Sequence, residues 1–184
     1  MSRKQYTREA ALGAAMGAFW REGFHGTSVA TLCAATRLNR KTLYAEFGDK
    51  GTLYAEAVGL YTRQALVQTE AVLGTEPLGD ANVRRYFAGM RYEADCRGCL
   101  MTMTANERAL VPEASIGTVR ETLARIEALL VANLRADGRP DAEARRLATF
   151  LVFSIQGITT MGKLEGDNER LAATLETVLS VLDT

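Results

Sequence analysis

Apolar residues along this chain recur at steps of three and four and never alternate for long, so the pattern predicts helices and no sheet. Thr7 is placed to cap a first helix whose face reads Leu12, Ala15, Met16 and Phe19, and Gly23 stands where a left-handed residue would stop it. Thr27 is expected to cap a second helix over 28–35, with Val29 and Leu32 inward. A short turn through Thr36, Arg37 and Leu38 leads to Asn39, a good cap for a third helix over 40–46 that Phe47-Gly48 closes. Asp49 caps a fourth over 50–72, with Leu53, Tyr54, Ala57, Leu60, Tyr61 and Leu66 turned toward neighbours.

The segment 74–79, containing Pro77, breaks the pattern. Helices follow over 80–90, 99–110, 113–137, 141–164 and 168–182, with stops at Pro112 and Gly138-Arg139-Pro140 and a cap at Asp167. The helix over 113–137 carries Ile116, Val119, Leu123, Ile126, Leu130 and Leu134 on one stripe. The expectation is an all-α fold of about nine helices. Residues 1–48 form a three-helix unit, 49–73 a connecting helix and 74–184 a C-terminal helical domain.

Composition narrows the class. With 47% hydrophobic and 24% charged residues in 184, the chain is neither disordered nor collagen-like and is long enough to bury a core. No apolar run reads as a membrane span. Residues 10–20, behind Arg3 and Lys4, read as an amphipathic helix rather than a secretory signal, because Leu12, Met16, Phe19 and Trp20 share a face and Arg21-Glu22 follows where a cleavage site should be. Three cysteines predict no disulfide framework and a cytoplasmic location. The net charge is zero, yet residues 1–50 hold 8 basic and 4 acidic side chains. That asymmetry directs the N-terminal end toward a polyanion.

Three short helices with a three-residue turn between the second and third describe a helix-turn-helix unit, whose third helix lies in a major groove of double-stranded DNA. Asn39, Arg40, Lys41 and Thr42 are the residue types that read base edges there, while Leu38 and Leu43 hold the helix on its bundle. Thr27, Ser28, Tyr44 and Lys50 are placed to grip phosphates. The same residue types also serve as ordinary caps and surface residues, so each carries both readings.

The run Gly23-Phe24-His25-Gly26-Thr27-Ser28-Val29, then Leu38-Asn39-Arg40-Lys41-Thr42-Leu43-Tyr44-Ala45-Glu46-Phe47-Gly48-Asp49-Lys50 and Leu53, resembles the N-terminal domain of the tetracycline-repressor family over residues 7–60. The resemblance implies an all-helical homodimer with an N-terminal DNA-binding domain and a C-terminal ligand-binding and dimerisation domain reached through the fourth helix. It also implies phosphate contacts from Thr42, Tyr44 and Lys50 and base contacts from 40–42. Arg37 stands where the family has glycine, so the turn either avoids a positive φ or holds Arg there at a cost, and the side chain becomes a candidate DNA contact. Gly51 replaces a common glutamate and is expected to weaken the first turn of the fourth helix slightly.

For the C-terminal half, Leu147, Leu151, Ile155 and Ile158 on one helix and Leu171, Leu175, Val178 and Leu182 on the next are the expected dimer surface, although each stripe also suits the core of its own subunit. Two heads related by a two-fold axis read a palindrome. Tyr86, Met90, Cys99, Met101, Met103, Phe150, Phe153 and Gln156 are the candidate lining of a cavity for a neutral small-molecule effector. Cys96 and Cys99 have the spacing of a metal or redox dithiol, but there is no second pair and the one histidine, His25, lies in the other domain. No metal or cofactor is therefore expected, Cys33 is read as core, and buried thiols are the plainer reading of the pair. The function expected is a ligand-responsive repressor and not an enzyme. The alternatives are a thiol- or metal-responsive repressor using Cys96 and Cys99, and a thiol oxidoreductase built on the same two residues.

Overall fold

Thr7, Ser28, Asn39 and Asp167 each accept backbone N–H groups at the head of a helix, Ser28 from Thr31 at 3.0 Å and Asn39 from Thr42 at 2.9 Å. In this computed structural model, which describes residues 6–91, 97–165 and 167–183, α1 spans Arg8–Gly26, α2 Val29–Thr36, α3 Arg40–Phe47, α4 Lys50–Leu73 and α5 Asp80–Ala88. They are followed by α6 Leu100–Asn106, α7 Glu113–Ala136, α8 Asp141–Glu165, α9 Asn168–Leu179 and a 3-10 turn over Ser180–Leu182. No strand occurs among the described residues, and the fold is all-α as the periodicity requires.

The boundaries that differ do so for local reasons. The second helix begins one residue later than expected because Ser28, not Thr27, is its cap; the Thr27 hydroxyl donates instead to Gly23 O at 2.6 Å. The sixth helix stops at Asn106, not at 110, because Glu107 leaves helical geometry at φ −96°, ψ 21°. The carboxylate of Glu107 is engaged by backbone N–H groups of Phe24 and His25.

The chain divides into two compact units, Met1–Arg63 with Cys99–Arg120 and Gln64–Gly98 with Glu121–Thr184. This departs from the linear division expected, since residues 99–120 join the N-terminal helices. In the first unit Phe19, Leu32, Leu43, Leu53 and Tyr54 are fully buried, each such side chain contributing about 1.5–3 kcal/mol of transfer free energy. The Tyr54 ring meets Phe19 and Phe24 edge-on, with centroids 4.9 Å away in both cases, a favoured aromatic geometry. Gly51 has a packing reason beyond its helix propensity: a Cβ there would lie 3.3 Å from Pro112 Cγ.

In the second unit Leu73, Phe87, Leu130, Leu134 and Leu151 are fully buried. Two buried amides fasten the loop before α5. Asn133 donates to Leu73 O at 2.7 Å and accepts from Gly79 N at 3.0 Å, while Asn82 donates to Thr75 O at 2.7 Å. Both amides thus find the partners that burial demands. Arg139 closes the end of the chain, pairing with Asp80 at 2.6 Å and donating to Leu182 O at 2.7 Å.

The stripes expected at the dimer surface are turned inward. Leu151, Ile155 and Ile158 on α8, Leu171, Leu175 and Val178 on α9, and Leu182 in the 3-10 turn are buried within their own unit, and Leu147 is half-buried. These residues cover the unit's own core, which takes the most apolar face first. A second apolar face of α8 remains outside, with Phe153 72% and Leu164 76% exposed beside Phe150 and Met161. Because both faces are apolar, α8 is by length and composition able to cross a membrane, contrary to the expectation that no segment is.

Candidate nucleic-acid interface

α3 is held by its apolar side and offers its polar side. Leu43 and Phe47 are buried, as is Leu38 just before the helix, whereas Asn39, Arg40 and Lys41 are exposed and Thr42 and Tyr44 are half-buried. The Arg40 guanidinium sits 5.6 Å from the centre of the Tyr44 ring, within cation–π range. That contact keeps a long side chain on the outer face. Gly48 closes the helix at φ 79°, and Asp49 accepts the Thr52 N–H at 2.7 Å to begin α4. The same N–H holds the exposed Asp49 carboxyl below its ordinary value.

Arg37 takes the left-handed conformation, φ 57° and ψ 26°, and is the one described non-glycine residue with a positive φ. The turn does not avoid the strained region; it places an exposed arginine there. Ser28 is exposed at the head of α2. Thr27 does not join it: its residue is fully buried and its hydroxyl is committed to Gly23 O, so its assignment as a phosphate contact is corrected. Lys50 carries its ammonium 4.5 Å from the centre of the Phe24 ring, a placement that residue types alone do not foretell.

Glu107 is the residue that sequence reasoning missed. Its two carboxylate oxygens accept the N–H groups of Phe24, at 2.6 Å, and His25, at 2.9 Å, at the corner that a kink at Gly23 makes in the last turn of α1, just before α2. The only trace in the sequence is Gly23, whose conformation the corner requires.

Comparison with known proteins is consistent with this geometry. Residues 11–57 match the family description "Bacterial regulatory proteins, tetR family", and residues 80–177 match "Transcriptional regulator LmrA/YxaF-like, C-terminal domain". The HTH-type transcriptional repressor ComR of Escherichia coli is 30% identical, over 96% of this chain and 89% of its own length. The chain belongs to the tetR family of bacterial regulatory proteins. Among solved structures, a cysteine-substituted form of the TetR family transcriptional regulator CifR, complexed with 26-base-pair double-strand operator DNA, is 27% identical with a TM-score of 0.82, covering 98% of both chains. A TetR transcriptional regulator from Legionella pneumophila shares the fold, with a TM-score of 0.81 at 18% identity over 98% of this chain and 99% of its own. Family and fold are those of transcriptional regulators.

In this tetR-family regulator the candidate effector residues are not all placed alike. Cys99 and Met101 are buried and Met103 half-buried in the first unit, while Tyr86, Met90 and Gln156 are half-buried in the second. Phe150 and Phe153 stand on the outer face of α8, apart from the buried candidates. Phe150 instead borders an open groove of about 430 Å³ between α8 and α9, with Ser154, Ile158, Met161, Leu171 and Val178. Cys96 lies outside the described residues, and Cys33 is half-buried rather than core.

Proposed function

We propose that this regulator is a one-component transcriptional repressor that works in the cytoplasm, binds a palindromic operator in double-stranded DNA as a homodimer, and releases it on binding a small-molecule effector. The observation that carries the reading is α3: a short helix anchored by Leu43 and Phe47 that leaves Asn39, Arg40 and Lys41 exposed, with Arg37 before it. Such a face suits a major groove, where Arg and Lys donate to guanine edges and Asn pairs with adenine. Thr42, Tyr44, Ser28 and Lys50 then take phosphates.

Dimerisation rests on the outer face of α8. Phe150, Phe153, Met161 and Leu164 form an apolar strip beside the α8–α9 groove, and a second copy of the same strip is the cover that symmetry supplies. The effector acts by preferring the form that cannot bind DNA, since equal affinity for both forms would shift nothing. The thiol-triggered alternative is disfavoured by the burial of Cys99, at 7% exposure, because a reactive thiol needs access. The testing experiment is titration of the purified protein with its own promoter region against scrambled DNA at several salt concentrations. Preference for the promoter with a steep salt dependence supports the reading, and equal weak binding to both overturns it.

A further inference from the structure

Gly23 adopts φ 76°, ψ 177°, a region open essentially to glycine alone, and the chain turns there from α1 toward α2. Just after the kink the N–H groups of Phe24 and His25 are both taken by one carboxylate 83 and 82 residues further along, that of Glu107. The approach is close enough that a Cβ on residue 23 would lie 3.0 Å from Oε2 of Glu107. Glycine is thus required twice, for the backbone and for the carboxylate.

The corner leads directly into the groups assigned to DNA. Gly23 O receives Thr27 Oγ1 at 2.6 Å, which fixes the residue before the Ser28 cap of α2. The Phe24 side chain, whose own N–H Glu107 holds, lies edge-on to Tyr54 and under the Lys50 ammonium. Ser28 and Lys50, two candidate phosphate contacts, therefore diverge from one corner. Glu107 itself is fixed because it ends α6, which Thr104 ties to Tyr54 at 2.9 Å.

We propose that Glu107 is a positioning residue for DNA recognition: its carboxylate clasps the α1–α2 corner and thereby sets where Ser28 and Lys50 meet the phosphate backbone. The inference rests on the DNA-binding reading. The sign of its effect separates it from a plain surface charge. Removing an acidic side chain from a protein that binds a polyanion strengthens binding when only charge matters. Removing a clasp weakens it.

The test uses full-length wild type, E107A and E107Q, each confirmed folded by thermal unfolding above the assay temperature. Affinity for the promoter duplex and for scrambled DNA is measured at several salt concentrations, with amide hydrogen exchange at Phe24 and His25. The expected result is a loss of promoter affinity of roughly tenfold or more in E107A, since two charge-assisted hydrogen bonds are removed. The salt slope falls toward that of K50A, the Phe24 and His25 amides exchange faster, and E107Q, which retains one acceptor oxygen, falls between. Promoter affinity in E107A equal to or above wild type overturns the proposal, as does unaltered amide protection. Failure of the wild type itself to prefer its promoter overturns the DNA-binding reading and removes the functional role with it, a result read from the wild-type titration alone.

Discussion

The phenol of Tyr54 and the hydroxyl of Thr104 share a hydrogen bond of 2.9 Å, inside a unit that joins residues from both halves of the sequence. Thr104 in turn donates to Leu100 O at 2.7 Å, so its hydroxyl keeps a partner if the phenol is removed. Y54F is therefore expected to cost only about 1 kcal/mol, by chemical denaturation. Burial, reinforced by the Glu107 charge and opposed by the Thr104 bond, pushes the Tyr54 phenol up to about 12. A folded value above the unfolded one of about 10 gives stability that is complete below pH 10 and lost as pH rises through about 12. Ultraviolet titration should show one tyrosine ionising late, and its disappearance in Y54F identifies it.

Arg37 trades stability for contact. R37G should stabilise the fold by about 1 kcal/mol, because glycine adopts φ 57° without the steric cost. The same variant should weaken DNA binding and lower the salt slope by about one. Stability unchanged together with affinity unchanged would leave Arg37 as a turn residue only.

Candidate base readers and phosphate grips should separate. K50A is expected to weaken binding to all sequences alike and reduce the salt slope, whereas R40A or K41A should relax preference at particular base pairs, each good contact being worth about 1–3 kcal/mol. T27A, by contrast, removes a buried hydroxyl and should lower stability, read by thermal unfolding.

Helix α8 offers the sharpest contrast between its two faces. F153E changes a residue that is 72% exposed, so the folded subunit should lose no more than about 0.5 kcal/mol while the dimer dissociates in sedimentation. L151A, on the fully buried face, should cost about 2–5 kcal/mol of subunit stability. Were L151A to dissociate the dimer without destabilising the subunit, the assignment of the two faces would be reversed.

Local chemistry was legible in the sequence and distant chemistry was not. Asn39 announced α3 because a cap acts on an N–H three residues away, and Gly23 announced the end of regular helix in α1 because few residues tolerate that backbone. Which face of α8 the subunit core takes was not legible because both are apolar, and helical periodicity reports that a stripe exists without saying which stripe is buried. Thr27 and Ser28 are adjacent and chemically alike, so only the folded backbone decides which hydroxyl turns inward. Glu107 itself gave no signal, and Gly23 was its one indirect trace: its partners are backbone N–H groups of Phe24 and His25, and backbone leaves little mark on residue type.

The most direct measurement of the central claim is a binding titration of the purified protein against its own promoter region, with scrambled competitor in excess and the salt concentration varied. A repressor of this design should show saturable, competitor-resistant binding whose logarithm falls steeply and linearly with the logarithm of salt. Binding that scrambled DNA displaces as readily as the promoter itself would contradict it.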